Sequence, residues 1–580
     1  RDDAVNLLDL PRNGIRAIRN LIRSLRRRGL DYIVLPLDGS FPQRAPRRTP
    51  LPFPLSMLPL FPSEVSLEEM QYAMDIICSD SRVRGVIFRI DRLQARAPTL
   101  HSLRRIMRDL HESGKRTIAW LAAADTWDYY LASACDEVIF PPGGRLSALG
   151  LRSEALFMKE ALATMGIEAD LESIAEYKVT PDMFRRSTMT EPHREMLAAI
   201  LDSYFGELVA AVAEGRGLTT ERVRELIDEM PMTPDEALQA GLIDAVLYED
   251  ELGAHLAQTS SKTEANDQSE PEKAPLLGWD NAARWLKRPV EWTTRKRIGV
   301  VSLEGMIVPG SSRRVPTPVP LPVEAQAGAK TVTQALRQAE ADPRIAAVIL
   351  HVDSPGGSSL ASDLIWREVQ RLRKRKPVVV LMGDQAASGG YYVSAPASHI
   401  VARPTTLTGS IGIWGGKFVV SNLYDKLKLG HQELQRGARA GLYSELEPFG
   451  EEEREQVRKE LGQAYARFRQ LVSEGRGMTE EAVETIARGR VWTGEQAAEI
   501  GLVDELGGFE TALAAAKELA ELDPAEEYTV VHLTPPRQEA PPPPFPTEGQ
   551  RAAGLLIDLL QDVAQERVWA MAPWVVRVRG

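Results

Sequence analysis

Short apolar runs alternate with amphipathic stretches along most of the chain. In the C-terminal half, Ile298–Leu303, Ala347–Val352 and Pro377–Met382 are rich in β-branched residues and short enough to be buried strands. Ser359–Arg373 carries its charges on one face and predicts a helix, and a longer helix is predicted over Glu451–Ser473. This alternation is typical of α/β proteins with largely parallel sheets.

The pattern occurs twice in the chain. Gly85–Asp91 matches Ala347–Asp353, and Thr233–Asp244 matches Thr493–Asp504 at nearly the same offset. Several matches at a nearly constant offset predict a tandem duplication. The predicted organisation is a basic N-terminal segment, an N-terminal copy, a linker, a C-terminal copy and a Pro-rich, apolar tail, in the order 1–30, 31–257, 258–296, 297–525 and 526–580.

Composition narrows the class of protein. The chain has 580 residues, of which 43% are hydrophobic and 6% aromatic, as expected for a soluble globular protein with large cores. Its formal net charge of −11 argues against a general affinity for nucleic acid. The two cysteines, Cys78 and Cys135, lack metal-ligand spacing, and we expect neither a metal nor an organic cofactor.

The N-terminal segment raises the question of a membrane. No run of about 18 apolar residues occurs, so the chain as given is not expected to contain a transmembrane helix. It begins with Arg1 rather than Met, so we expect that an N-terminal piece, which could have been an anchor, was removed or left out. Residues 12–28 contain seven arginines together with four apolar residues at helical spacing, Ile15, Ile18, Ile22 and Leu25. Such a helix could lie on an anionic membrane surface or pack on its own domain.

Ser388 is the first candidate catalytic residue. It follows the predicted strand Pro377–Met382, and Gly389 and Gly390 open the helix predicted after it. At such a turn the serine hydroxyl would lie beside unpaired backbone N–H groups, which favour the negative charge that develops during acyl transfer. Gly356-Gly357, after the strand Ala347–Val352, is a plausible second part of an oxyanion hole. Small residues at a strand–helix turn also serve close packing, so the turn alone leaves both interpretations open.

A serine hydroxyl needs a base to become a nucleophile near neutral pH. The C-terminal copy offers three histidines, His351, His399 and His431, but none belongs to a triad motif. His351 and His399 lie in strand patterns, which favours a role in packing. A lysine that burial keeps neutral is the other possible base.

The two copies differ in a complementary way. Lys178 of the N-terminal copy, within Glu176-Tyr177-Lys178, corresponds to Ala440 of the C-terminal copy. Ser388 of the C-terminal copy corresponds to Thr126 of the N-terminal copy. Each copy therefore lacks what the other has, as expected if one active site is assembled from both. The alternative is a surface lysine that happens to differ between the copies.

Four motifs together resemble those of one family. They are Asp353–Gly357, Ala387–Tyr392, Thr408–Gly412 and Glu176–Lys178. In combination they resemble the long-form signal peptide peptidase A family (protease IV), which are serine proteases of the ClpP/crotonase-like superfamily. The resemblance runs from about Tyr32 to Leu506. It implies an α/β fold in which a ClpP/crotonase-like domain, with parallel sheets flanked by helices, occurs twice in tandem.

The resemblance also implies roles for individual residues. Ser388 would be the nucleophile, Lys178 the general base and Ser410 the hydrogen-bond partner that orients the lysine amine. The oxyanion would be held by backbone N–H groups of Gly356, Gly357 and Gly389. We further expect an apolar substrate pocket beside Ser388 that accepts small or aliphatic side chains and is lined by Met306, Ile307 and Trp414.

Members of this family are typically membrane-anchored, work on the extracytoplasmic side, assemble as tetramers and degrade leftover signal peptides. The resemblance therefore implies a homo-oligomeric endopeptidase of the bacterial cell envelope, at the inner membrane and facing the periplasm or the outside. Its substrates would be signal peptides or other unfolded hydrophobic peptides. The Pro-rich stretch and residues 554–580 lie outside the family pattern.

Two other functions remain open from the sequence. One is a crotonase-like acyl-CoA enzyme, because that fold also uses paired oxyanion N–H groups, although such enzymes typically transfer protons with acidic residues. The other is a non-catalytic scaffold that binds peptide strands. Covalent labelling of Ser388 and cleavage of peptides distinguish a protease from both.

Overall fold

The structure is a computed structural model. It describes residues 9–25, 29–44, 65–260, 273–289, 296–314, 325–534, 568–571 and 577–579. These residues form two compact units. The larger unit comprises the described parts of 153–203 and 294–578, and the smaller unit those of 5–152 and 204–293 together with residue 579.

The strands, in chain order, are β1 (Tyr32–Gly39), β2 (Gly85–Leu93), β3 (Arg116–Trp120), β4 (Ala123–Asp125), β5 (Glu137–Phe140), β6 (Arg145–Ser147), β7 (Arg152–Glu154), β8 (Glu168–Ser173), β9 (Ala245–Val246), β10 (Leu276–Gly278), β11 (Arg297–Glu304), β12 (Met306–Val308), β13 (Arg313–Arg314), β14 (Ala325–Gly328), β15 (Ile345–Ser354), β16 (Gly356–Ser358), β17 (Val378–Ala387), β18 (His399–Ala402), β19 (Leu407–Gly409), β20 (Trp414–Val419), β21 (Val491–Thr493), β22 (Glu505–Leu506), β23 (Thr529–His532), β24 (Val568–Met571) and β25 (Arg577–Arg579).

The helices, in chain order, are α1 (Asp9–Ser24), α2 (Leu67–Ser79), α3 (Ala97–Glu112), α4 (Thr126–Ala132), α5 (Lys159–Met165), α6 (Asp182–Arg185), α7 (Glu191–Arg216), α8 (Thr220–Asp228), α9 (Pro234–Gln239), α10 (Leu252–Ser260), α11 (Trp279–Ala282), α12 (Ala329–Ala341), α13 (Ser359–Arg373), α14 (Gly389–Ser394), α15 (Ser421–Leu427), α16 (Glu451–Arg476), α17 (Glu480–Ile486), α18 (Gly494–Glu499) and α19 (Phe509–Leu519).

The smaller unit is built on a six-stranded sheet with the order β10-β1-β2-β3-β5-β9, in which every neighbouring pair is parallel. Successive residues of a strand point to opposite faces of the sheet. Val86 and Phe88 of β2 accordingly enter one apolar cluster, whereas Ile87 enters another on the opposite face. A parallel sheet that is buried on both faces explains the continuous apolar runs in the sequence.

The larger unit contains two large sheets. The first has the order β21-β19-β17-β15-β11-β23, with β18 paired to β17 and β22 paired to β18. Its pairs are parallel except β19–β21. The β17 residues Val378, Val380 and Met382 face one core, and Val379 and Leu381 face the other. The second sheet has the order β13-β14-β12-β16-β24-β20-β8.

The predicted duplication and the α/β class are confirmed. The strand order β10-β1-β2-β3-β5-β9 of the smaller unit recurs in the larger unit as β23-β11-β15-β17-β18-β22. Two of the repeated sequence features hold equivalent places in the two copies. The hydroxyl of Tyr129 donates to Leu242 O at 2.6 Å, as that of Tyr391 does to Leu502 O at 2.9 Å.

Parts of two segments that were predicted to lie outside the copies form strands of the sheets. Residues 276–282, assigned to the linker, form β10 and α11, and β10 pairs with β1. Residues 529–532, assigned to the tail, form β23, which pairs with β11. Both strands lie at the edge of a sheet and are so short that the sequence gives little periodicity to detect. Residues 261–272 and the run Pro541–Pro544 lie outside the described residues.

The compact units do not follow the two sequence copies. Residues 153–203 belong to the N-terminal copy by sequence but are built into the larger unit, because β8 pairs with β20. The limits of the repeat at 31–257 and 297–525 remain a prediction.

One helix is long and apolar enough to be compared with a membrane-spanning helix. Within the part of the chain that the structure describes, α7 is the one helix whose length and hydropathy would suffice to cross a bilayer. Half of its most apolar window is buried inside the protein, as in the core helix of a globular domain.

Candidate active site

Ser388 lies at the turn between β17 and α14, as the sequence predicts. Its backbone has φ 56° and ψ −112°, a conformation that costs a residue other than glycine on the order of 1–3 kcal/mol. Two hydrogen bonds hold this turn: the Ser388 amide donates to Gly409 O at 2.7 Å, and the Tyr392 amide donates to Ser388 O at 2.8 Å. The strained turn fixes the hydroxyl at the N-terminus of a helix, where strain is often stored for function.

The Lys178 amine reaches this serine. Its Nζ atom lies 2.7 Å from Ser388 Oγ, 3.0 Å from Ser410 Oγ and 3.1 Å from Ser410 O. Lys178 is 1% exposed, and both serines are fully buried. Burial lowers the pKa of Lys178 well below its ordinary value, because removal from water disfavours the charged amine.

Strand β8 carries Lys178 into the site. It pairs antiparallel with β20 from Glu168 opposite Val419 to Ser173 opposite Trp414. Just beyond the strand, the Ile174 amide donates to Ile413 O at 3.0 Å. Because this ladder keeps one register along its whole length, it fixes the position of the backbone at the end of β8, from which the chain continues to Lys178.

Residues of the C-terminal copy clamp the backbone around Lys178. The Tyr177 amide donates to Arg488 O at 3.1 Å, and the Arg488 guanidinium binds the Glu176 carboxylate through Nε at 2.8 Å and Nη2 at 2.8 Å. Gly489 has φ 83°, and a Cβ atom there would overlap the Lys178 backbone. Glycine is therefore needed at 489 both for its conformation and for the close approach.

Ser410 lies where it can orient the lysine. It follows β19, whose residues Thr408 and Gly409 pair in parallel with Ala386 and Ala387 next to Ser388. The Ser410 amide donates to Arg490 O at 2.7 Å, and its φ is 50°. Both oxygens of Ser410 contact the lysine amine, which agrees with the geometry that the predicted orienting role requires.

The three predicted oxyanion glycines differ in their surroundings. The Gly356 amide donates to Ser354 Oγ at 3.1 Å, and that hydroxyl donates to Gly305 O at 2.6 Å. Gly357 lies in β16, which packs against α14, and a Cβ atom there would overlap Ile307. Gly389 is the first residue of α14, where the amides of the first turn have no acceptor within the helix. Because Gly356 already has an acceptor, Gly357 and Gly389 are the better candidates.

The three predicted pocket residues do not share one environment. Met306 and Trp414 belong to a small buried cluster with Leu171 and Val308. Ile307 faces the opposite side and enters the large core of the unit, because alternate residues of β12 point to opposite faces of the sheet. The structure therefore brings Met306 and Trp414 together and separates Ile307 from them.

The candidate histidines are placed elsewhere. His351 is buried in β15, where desolvation lowers its pKa to about 3, and its Nδ1 atom lies 3.9 Å from the Glu304 carboxylate. His399 Nε2 lies 3.1 Å from a Glu505 carboxylate oxygen. His399 therefore has a hydrogen-bond partner of its own, whereas His351 Nδ1 is buried without a hydrogen-bond partner among the described residues.

Sequence reasoning missed two residues that shape the site. The Ser354 hydroxyl accepts a hydrogen bond from the Gly356 amide and so holds this loop. The sequence could have indicated this contact, because a serine side chain often accepts from the amide two positions later. Gly489 lies against Lys178, but the two are distant in sequence, so no local pattern connects them.

Comparison with known proteins gives the class. The chain belongs to peptidase family S49, whose family model matches residues 109–263 and 370–523, one region in each copy. It is 32% identical to "Serine protease SPPA, chloroplastic" of Arabidopsis thaliana over 482 residues, covering 83% of this chain and 70% of that protein.

Two bacterial proteins named "Protease 4" match over a similar length. The protein of Haemophilus influenzae is 29% identical, covering 79% of this chain and 74% of the relative. The protein of Salmonella typhi is 30% identical, covering 79% of this chain and 73% of the relative. The chain is therefore a serine protease of the S49 family, as the resemblance implied.

Proposed function

We propose that this serine protease is an endopeptidase that uses Ser388 as nucleophile and Lys178 as general base. The observation that carries the proposal is the 2.7 Å distance between Lys178 Nζ and Ser388 Oγ in a buried site. A base must lie within hydrogen-bond reach of the proton it removes. Burial also lowers the lysine pKa, which makes the neutral amine available at a lower pH than for an exposed lysine.

The hydrogen-bond contacts of the Lys178 amine are consistent with a proton transfer from the Ser388 hydroxyl to Lys178. A neutral amine has two N–H donors and one lone pair. If Ser410 O and Ser410 Oγ accept the two N–H groups, the lone pair faces the Ser388 hydroxyl. The proton that Lys178 gains then makes a third N–H donor, for which the three oxygens around Nζ are the acceptors.

The reaction follows the two steps of acyl transfer. Ser388 Oγ attacks the scissile carbonyl while its proton passes to Lys178, and backbone N–H groups of Gly357 and Gly389 hold the resulting oxyanion. The Lys178 ammonium returns the proton to the leaving amine as the C–N bond breaks. Water, deprotonated by the neutral lysine, then hydrolyses the acyl-enzyme and releases Ser388.

We further propose that the substrates are signal peptides or other unfolded hydrophobic peptides in the cell envelope, and that the enzyme is a homo-oligomer. The buried apolar cluster of Met306, Trp414 and Leu171 favours small or aliphatic side chains before the cut. Product mapping on a peptide library tests this, and a preference for Arg or Lys before the cut would contradict it. Sedimentation equilibrium tests the assembly, which the family resemblance sets at four subunits.

The test of the nucleophile is covalent labelling. We expect a fluorophosphonate probe to modify Ser388 in the full-length protein and to leave Ser388→Ala unlabelled, because an activated serine attacks the phosphorus. A matched control is Ser394→Ala, since Ser394 is also buried but donates its hydroxyl to Gly390 O at 2.7 Å. Unlabelled wild type would overturn the proposal and favour the acyl-CoA enzyme, and labelling that survives in Ser388→Ala would assign the nucleophile to another residue.

We also propose that helix α1 lies on an anionic membrane surface. Its polar side is the docked side: Arg16, Asn20 and Arg23 donate to backbone carbonyls of residues 284–289 in the smaller unit. Its apolar side faces outward, with exposures between 53% and 77% for Ile15, Ile18, Leu21, Ile22 and Leu25. An exposed apolar stripe flanked by arginines is typical of a helix that binds an anionic lipid interface.

A vesicle assay tests this contact. We expect the full-length protein to co-sediment with vesicles of phosphatidylglycerol and phosphatidylcholine, and less so at high salt, because part of the attraction is electrostatic. The double variant Ile18→Asp, Ile22→Asp should lose about tenfold or more in affinity. Leu434→Asp changes a leucine that is 93% exposed elsewhere and should bind as wild type does. Equal binding by the double variant would refute the proposal, and a loss of oligomer without any vesicle binding would assign the stripe to a second copy.

A further inference from the structure

A cluster of aromatic and charged side chains lies around Arg490 in the larger unit. The Arg490 guanidinium lies over the ring of Tyr177, 5.0 Å from its centre, and over the ring of Trp492 at 4.5 Å. Its Nη1 atom donates to one oxygen of the Glu195 carboxylate at 2.7 Å. The Tyr177 hydroxyl donates to the other oxygen of the same carboxylate at 2.9 Å. We call Tyr177, Glu195, Arg490 and Trp492 the Arg490 cluster.

The contacts of the Arg490 cluster form a closed loop. Arg490 is joined to Tyr177 both directly, through the ring, and indirectly, through the carboxylate of Glu195. Hydrogen bonds from Tyr177 and Arg490 hold the pKa of Glu195 below its ordinary value, which keeps the carboxylate charged. A planar guanidinium suits this position because it can stack on rings and bind a carboxylate at the same time.

The cluster is joined to both residues that surround the candidate catalytic serine. Tyr177 immediately precedes Lys178, and the Tyr177 amide donates to Arg488 O at 3.1 Å. Arg490 O accepts from the Ser410 amide at 2.7 Å. The side chain of Arg490 therefore acts on the lysine side of the site, and its backbone acts on the side of Ser410.

Trp492 fixes the cluster to the sheet. It lies in β21 opposite Thr408 of β19, two residues before Ser410. Its indole N–H donates to Ile486 O at 2.9 Å. The guanidinium of Arg490 is thus stacked on a side chain that is itself held in place.

We infer that Arg490 is a positioning residue for the general base: its guanidinium holds the Tyr177 side chain and thereby the backbone of Lys178. The amine of Lys178 must stay within hydrogen-bond reach of Ser388 to take its proton. A displacement of about 1 Å can lower the rate of an enzyme by about 100-fold. This role rests on the proposed function, because holding the amine matters for catalysis only if Lys178 is the base.

A loss of position should also change the titration of Lys178. Desolvation lowers its pKa, and the charged groups nearest to it along the chain are paired, Glu176 with Arg488 and Glu195 with Arg490. A lysine that is held less firmly admits water, so its pKa rises towards the ordinary value. The pH profile therefore reports on position, whereas a lower yield of folded protein would leave its midpoint unchanged.

The experiment replaces Arg490 with lysine in the full-length protein. This change keeps the positive charge, but an ammonium has no planar face to stack on two rings. We expect kcat for a peptide substrate to fall by about 10–100-fold, with KM within about threefold of wild type. The midpoint of the rising limb of the pH profile should move to higher pH. Fluorophosphonate labelling of Ser388 should slow by a similar factor, because it needs the same base.

Arg224→Lys is the matched control. The Arg224 guanidinium also lies over an aromatic ring, 5.2 Å from the centre of Phe205, but in the smaller unit. This variant should keep the kcat, the KM and the pH midpoint of wild type. Folded Arg490→Lys with the kcat and midpoint of wild type overturns the inference, and so does a loss that is confined to KM. If Arg490→Lys does not fold, Tyr177→Leu removes the other partner of the same stack and should show the same changes.

A double variant tests whether the effect passes through Tyr177. In Tyr177→Leu the ring is already absent, so adding Arg490→Lys should lower kcat little further. Losses that multiply in the double variant would mean that Arg490 acts by another route, which also overturns the inference.

Two results separate this role from the proposed function. If wild type is labelled at Ser388 and Arg490→Lys behaves as wild type, only the role of Arg490 is wrong. If wild type is not labelled at Ser388, the proposed function is wrong, and the role of Arg490 in it is wrong as well.

Discussion

Replacing Lys178 with methionine is expected to lower kcat/KM for a peptide substrate by about 10⁴-fold or more, with the fold intact. Methionine fills a similar volume but cannot accept the proton of Ser388, whose hydroxyl lies 2.7 Å from the lysine amine. Ser388→Ala should cause a loss of similar size. The double variant should be no worse than either single variant, because the two groups act as one unit.

A second buried lysine provides the control. Lys115 is 8% exposed and donates to the carbonyls of Asp80 and Val83 in the smaller unit, so Lys115→Met also removes a buried amine. We expect it to change stability while kcat/KM stays within a few-fold of wild type. Activity of Lys178→Met near that of Lys115→Met would mean that Lys178 is not the base.

The same distance predicts that the site forms within one chain. Mixing and co-assembling Ser388→Ala chains with Lys178→Met chains should restore no activity, because the functional lysine and serine then lie in different chains. Recovered activity in the mixture would show that the pair forms between subunits.

The second large effect that we expect is the dependence of kcat/KM on pH. Only neutral Lys178 can accept a proton, so log kcat/KM should rise with pH at a slope of one until the amine is half deprotonated, and then level off. Each pH step of one below that point therefore lowers the rate about tenfold. Because burial lowers the pKa of Lys178, the plateau should begin well below the pH of about 10.4 at which an exposed lysine titrates. A rising limb that disappears on mutation of a histidine would show that the base is not Lys178.

The stability of the protein should follow the same titration. The folded pKa of Lys178 is lower than the unfolded one, so between the two values the unfolded chain binds more protons. The contribution of Lys178 to the free energy of unfolding is therefore full above the unfolded pKa and falls by about 1.4 kcal/mol per pH unit as the pH drops towards the folded pKa. Urea unfolding of wild type and Lys178→Met at several pH values measures this. Parallel curves would mean that the lysine pKa is not shifted.

Sequence analysis correctly predicted the parts of the fold that depend on local patterns. Ser359–Arg373 forms a helix with the predicted bounds, and the predicted strand Pro377–Met382 lies within β17 apart from its proline. The placement of Ser388 at a strand–helix turn follows from the apolar run before it and the glycines after it. These features depend on neighbouring residues, which the sequence shows directly.

Features that depend on distant pairing could not be predicted. The assignment of residues 153–203 to the larger unit depends on the ladder between β8 and β20, and no local pattern of β8 reveals its partner. The prediction of Ile307 as a pocket residue missed the alternation along a strand of only three residues. The place of β24 between β16 and β20 was equally hidden, because four residues carry too little pattern to identify a partner.

The position of β8 in the larger unit has a consequence for synthesis of the enzyme. The ribosome completes Lys178 210 residues before Ser388, which at roughly 5–20 residues per second takes on the order of 10–40 s. During that interval a nascent chain carries β8 without β20, the strand that completes its ladder. Under the proposed mechanism, the unfinished enzyme has a base without a nucleophile and should not digest other nascent chains around it. Stalled chains that end before β20 should be cut within residues 168–173 by an added protease, and protection there would show that β8 finds another partner first.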